Sequence, residues 1–76
     1  MVRQFSEPRI RILRRREVER MVALSRSAIY RQISESTFPK PVPLGGGADA
    51  HAVGWIEAEV IAWLAACVAK RDEGSA

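Results

Sequence analysis

Three of the chain's four prolines stand at alternate positions, Pro39, Pro41 and Pro43, and three of its five glycines follow at Gly45, Gly46 and Gly47. Proline lacks a backbone N–H and clashes with a preceding helical turn, so residues 39–44 do not form a helix, and any strand among them is confined to a sheet edge. The residue before a proline also disfavours the helical region, which breaks any helix arriving from the N-terminal side at Phe38-Pro39. After the loop at 45–51, Ala52, Val53, Gly54 and Trp55 resume an extended pattern. Two short strands joined by a glycine-rich loop make a β-hairpin, which beside a helix-turn-helix is a wing.

The residues ahead of the prolines alternate at helical spacing. Ile10, Ile12 and Leu13 form a short extended segment that packs on the core. Arg15 to Val22 follows as a helix, with Val18, Met21 and Val22 at i, i+3 and i+4 and with Glu17 and Glu19 in the early turns, where the helix dipole favours acids. A turn over residues 21–25 leads into a second helix, from 26 to about 36, with Ser25 as its N-cap. Ala23 stands where such turns often carry glycine, and a left-handed alanine costs roughly 1 kcal/mol, so the expectation is a turn of another geometry. On the second helix Ile29 and Ile33 stack on one face, while Ser27, Tyr30, Arg31 and Ser34 gather on the other. Hydrogen-bond donors, a guanidinium and an aromatic ring suit phosphates and base edges, although a polar outer face on an ordinary surface helix has the same look. Phe38 plugs the core.

The last helix begins near Ile56-Glu57 and carries Lys70 and Arg71 at its end, before Gly74. Val60, Trp63, Leu64, Cys67 and Val68 form a wide stripe, filled out by Ala62, Ala65, Ala66 and Ala69, whose ordinary fate is the core, with Cys67 buried as a small hydrophobe. Use of part of the stripe as a dimer interface stays open. The expected organisation is a flexible basic tail at 1–9, one domain at 10–71 and a polar tail at 72–76.

Seventy-six residues make one domain too small for a buried catalytic cleft, and a chain of this size buries only about 60% of its unfolded surface, so partners are expected to add stability. Cys67 is the only cysteine and His51 the only histidine, so neither a disulfide, a metal cluster nor a nucleophile–base pair can be assembled; no cofactor is expected. With no long apolar run and a polar N-terminus, the chain is expected in the cytoplasm, on the nucleoid, without membrane contact. The net charge of +3 hides an asymmetry. Residues 1–40 carry nine arginines and Lys40 against four glutamates, a balance of +6, and residues 41–76 carry −3. A basic half ahead of and within a helix pair is the electrostatic footprint of a nucleic-acid binder.

The order of these pieces resembles the AlpA family of small phage-type regulators, a winged helix-turn-helix related to MerR-like and excisionase domains. The resemblance runs through Arg11-Ile12-Leu13 and Glu17-Val18, then Leu24-Ser25-Arg26-Ser27-Ala28-Ile29-Tyr30. It continues as Phe38-Pro39-Lys40-Pro41-Val42-Pro43-Leu44-Gly45 and closes with Val53-Gly54-Trp55, Glu59-Val60 and Trp63-Leu64, covering residues 10–70. It implies a mainly α fold of three helices plus a small hairpin wing, and no reaction. The implied function is a sequence-specific regulator of prophage or mobile-element genes that binds double-stranded DNA. A recombination directionality factor that bends DNA, or a module docking onto an integrase or polymerase through its last helix, are the competing readings. A homodimer or a cooperative array on DNA stays open as well. Ser25, Arg26, Ser27, Tyr30 and Arg31 fall on the start and outer face of the recognition helix, and Lys40 falls just before the wing. Arg14 and Arg15 belong to the same basic surface. For Tyr30 a competing role is partial burial beside Phe38. The family commonly places an arginine after the wing glycines, whereas here Ala48, Asp49, Ala50 and His51 follow, so the tip is expected to be mobile and to contribute little to DNA contact.

Overall fold

The computed structural model describes residues 10–74. The expected basic tail at 1–9 lies outside them, as do residues 75–76. The elements run β1 (Ile12–Leu13), α1 (Arg15–Val22), α2 (Arg26–Ser34), β2 (Val42–Pro43), β3 (Val53–Ile56) and α3 (Glu57–Gly74). The fold is mainly helical with a small antiparallel sheet, a winged helix-turn-helix.

Helix α1 starts where Arg14 leaves the extended region and its N–H donates to the Glu17 carboxylate at 2.8 Å. It ends at Ala23, whose N–H donates to the Glu19 carbonyl at 2.8 Å with φ +58°. The expectation of another turn geometry is therefore corrected: the alanine itself takes the left-handed conformation. The short path from Val22 to Leu24, both packed on the core, supplies the constraint that outweighs the strain. Helix α2 opens on Ser25, whose hydroxyl accepts from Ala28 N–H at 3.2 Å. It closes two residues before position 36, because Ser36 is also left-handed, at φ +63°. Thr37 N–H then reaches back to the Gln32 carbonyl and Ser36 N–H to that of Ile33, the paired bonds of a Schellman cap.

β3 is the middle strand. It pairs antiparallel with β1, Leu13 opposite Trp55, and with β2, Val42 opposite Gly54, so β2 with its Pro43 takes the edge that proline requires. The extended segment expected at 10–13 is thus a third strand, of which Ile10 is an exposed flank. A single 3-10 turn, Gly47–Asp49, sits within the wing loop.

Leu13, Val18, Val22, Ile29, Phe38, Trp55 and Val60 form the core, one or two from β1, β3 and each helix, with Phe38 from the link after α2. Two indoles hold the chain as it leaves α2. Trp55 Nε1 donates to the Pro39 carbonyl at 3.0 Å, Trp63 Nε1 donates to that of Thr37 at 2.6 Å, and Phe38 lies edge-on to Trp63 at 4.8 Å.

The expectation for α3 needs correction. Val60 is buried and Trp63 and Leu64 are half-buried, but Cys67 is exposed and Val68 is 48% exposed. The helix outruns the body it packs on: a core built from two short helices and three short strands covers only its first turns. It also continues through Asp72 to Gly74, beyond the end expected at Arg71.

Candidate nucleic-acid interface

The outer face of α2 gathers most of the residues singled out from the sequence. Ser25, Arg26, Ser27, Tyr30, Arg31 and Ser34 are exposed, while Ile29 is buried and Ile33 half-buried on the opposite side. This follows from helical spacing once Ser25 fixes the first turn. The Ser25 hydroxyl spends one lone pair on the Ala28 N–H and keeps its own proton for an incoming acceptor. It stands at the positive end of the helix dipole.

Tyr30 joins this face to the core. Its ring meets the fully buried Trp55 edge-on, 6.2 Å between centroids, and the Arg26 guanidinium lies 5.8 Å over the ring. The partial burial considered for Tyr30 thus takes place against Trp55; Phe38 is engaged with Trp63 instead. Arg26, Ser27 and Tyr30 line an open concavity beside the helix start. Arg31, one turn beyond Ser27, extends the basic face, and its side chain has no hydrogen bond or ion pair among the described residues.

Lys40 is exposed immediately after Pro39, whose carbonyl is pinned by Trp55. Arg14 and Arg15 are more occupied. Arg14 Nε donates to the Val53 carbonyl at 3.2 Å, which ties α1 to the base of the wing, and Arg15 pairs with Glu19 one turn along. Together with Arg16 and Val53 they line a second concavity, at the junction of α1 and β3. Two further arginines belong with this surface. Arg16 and Arg20 stand one turn apart on the outer face of α1, opposite Val18 and Val22, and neither has a side-chain partner among the described residues. The signal for them was present in the sequence: both follow from the helical period that places Val18 and Val22 inward.

The arrangement offers cations, hydroxyls and a helix N-terminus on one rigid support, the equipment for holding phosphate and reading base edges. Among the described residues no group of acidic, histidine and cysteine side chains is placed to hold a metal ion, and no helix is long and apolar enough to cross a membrane.

A family model described as the prophage CP4-57 regulatory protein (AlpA) matches residues 11–68. A protein of Enterobacteria phage P4, described as uncharacterized protein ORF88, is 44% identical over 64 residues, covering 84% of this chain and 68% of that protein. No solved structure matches. The matched span runs from β1 to the exposed end of the α3 stripe and takes in both helices of the pair, so the chain belongs to the AlpA family of prophage regulatory proteins.

Proposed function

We propose that this regulator acts by binding double-stranded DNA in a sequence-specific manner, with α2 as its recognition helix, to control prophage or mobile-element genes. The observation that carries the reading is the convergence of Ser25, Arg26, Ser27, Tyr30 and Arg31 on the one exposed face of the second helix of the pair. In this reading α2 enters the major groove, where Arg26 and Arg31 meet guanine edges or phosphates and Ser25 and Ser27 meet the backbone at the helix N-terminus. Lys40, Arg14 and Arg15, with Arg16 and Arg20, follow the flanking phosphates. Of these, Arg15 does so less, since Glu19 already takes part of its charge. The wing has no lysine or arginine between Gly45 and Ala52, so it braces the interface through β3 more than it grips DNA.

The test is fluorescence anisotropy of the purified protein with duplexes tiled across the DNA beside its own gene, at several salt concentrations, against an unrelated duplex. The expected result is one tile bound at least ~10³-fold more tightly than the control, with affinity falling as salt rises. Equal weak binding to every tile overturns the proposal. On the preferred tile, a bending assay separates transcriptional control from a role in excision, since a directionality factor must deform its site.

A further inference from the structure

Helix α3 carries no charge from Val60 to Ala69, yet among the described residues only Val60 of that run is buried. Ile61 is 49% and Val68 48% exposed, and Ala58, Ala62, Ala65 and Ala69 are exposed as well. At about 100° per residue, Ala58, Ile61, Ala65 and Val68 fall along one line, with steps of three, four and three residues. That is the seam spacing of two packed helices. A helix apolar all round is ordinarily covered on every side, and the body of this domain covers one.

We infer that this face is covered by α3 of a second copy of the chain, packed antiparallel about a two-fold axis close to Leu64. The charges select this occupant and its direction. Glu57, Leu64 and Arg71 are seven residues apart and so share one edge of the seam. In an antiparallel pair, Glu57 of each copy meets Arg71 of the other and Leu64 meets Leu64; a parallel pair would set this edge against the opposite one, Ala62 and Ala69, and leave both charges without an ion pair across the seam. Among the described residues the Glu57 carboxylate has only a loose contact with the exposed Arg11, at 3.8 Å. Arg71 is exposed near the end of the helix, where it touches Asp72. The alanines at 58 and 65 let the two backbones approach closely. The seam from Ala58 to Arg71 is about 20 Å long, which places the interface among small, reversible ones that adjacent sites on DNA would consolidate. Self-association in the absence of DNA does not rest on the proposed function.

The test is sedimentation equilibrium of the whole chain, reduced and without DNA, from about 1 µM to about 500 µM. A monomer–dimer equilibrium with Kd on the order of 10–100 µM is expected. Ile61→Asp and Val68→Asp should each weaken it more than about tenfold, with circular dichroism and tryptophan emission unchanged because both sites are already exposed. Glu57→Arg and Arg71→Glu should each weaken it, and their combination should restore it. Monomers at every concentration, or a dimer indifferent to Val68→Asp, overturn the second copy as the occupant; failure of the charge swap to restore association overturns the antiparallel direction. Anisotropy of Val68→Asp on a single DNA site, expected at wild-type affinity, keeps the two readings apart: loss of DNA binding in the wild type with self-association intact removes the proposed function alone.

Discussion

Gly54 on the middle strand lies directly against Ile12 of β1: a Cβ at position 54 would overlap Ile12 Cγ2 and stand 3.2 Å from the Leu13 carbonyl oxygen. The close approach lets three strands of two to four residues share a sheet while Trp55, the next residue, fills the core. Gly54→Ala should therefore force the strands apart, destabilising the domain by about 1–3 kcal/mol, roughly 4–8 °C in Tm for each kcal/mol. Thermal melts followed by circular dichroism read this directly. Gly46→Ala is the control, since nothing lies within 4 Å of a Cβ there and its φ of −139° suits any residue. Equal melting temperatures for the two variants would rule out the strand packing described above.

Ala23 makes the opposite prediction. At φ +58° it carries the left-handed strain of a non-glycine residue, about 1–2 kcal/mol. Glycine relieves that strain but gives the unfolded chain more freedom to lose, about 0.4–1 kcal/mol. Ala23→Gly should thus stabilise the domain by a net of about 0.5–1 kcal/mol, measured as a higher denaturant midpoint with an unchanged slope. A lower midpoint would mean that the alanine methyl makes a contact worth more than the strain.

These two positions mark where the sequence was legible and where it was not. Helices α1 and α2, the edge placement of Pro43 and the outward set on α2 follow from period and punctuation, which are local properties written in adjacent residues. The left-handed Ala23 and Ser36 are not local: each is held by a helix end that must turn within two residues to keep its neighbours on the core, and no residue type announces it. The α3 stripe misled for a related reason. Its pattern states that the helix face is apolar, but whether Cys67 and Val68 are covered depends on how far the rest of the domain reaches along the helix, which no window of sequence contains. At the site, the period placed Tyr30 and Arg31 outward correctly, while the contact of Tyr30 with Trp55 joins residues 25 apart and required the fold.

Ser25 has two separable tasks, one toward its own helix and one, in the proposed function, toward phosphate. Ser25→Ala removes the acceptor for Ala28 N–H and should cost about 1 kcal/mol of stability along with DNA affinity. Ser25→Asp keeps an equivalent cap, so the fold should melt as the wild type does, but it sets a carboxylate where phosphate is to approach. The expected outcome for Ser25→Asp is wild-type Tm with affinity reduced at least about tenfold at low salt, the deficit shrinking as salt screens the repulsion. Wild-type affinity in this variant would place the start of α2 away from the DNA backbone.

Arg26 and Arg31 look alike in the sequence and differ in the structure, so they should differ in energetics. Arg26 is held over the Tyr30 ring, and that ring is braced by Trp55; among the described residues Arg31 is supported by nothing comparable. Part of the contribution of Arg26 to binding then depends on Tyr30, since a guanidinium already oriented loses less freedom when it meets its acceptor. In a double-mutant cycle on the preferred duplex, Arg26→Ala and Tyr30→Leu should be non-additive by about 0.5–1 kcal/mol, whereas Arg31→Ala and Tyr30→Leu should add. The salt dependence assigns what each arginine touches. Loss of a phosphate contact lowers the slope of log affinity against log salt by about one and weakens all sequences alike, while loss of a guanine contact leaves most of the slope and relaxes the preference at one base pair. The fixed Arg26 is suited to reading a base, the free Arg31 to following phosphate. Arg26→Ala should therefore erase discrimination at one position of the tile and Arg31→Ala should flatten the salt curve; the reverse assignment would mean that α2 meets DNA with its C-terminal end foremost.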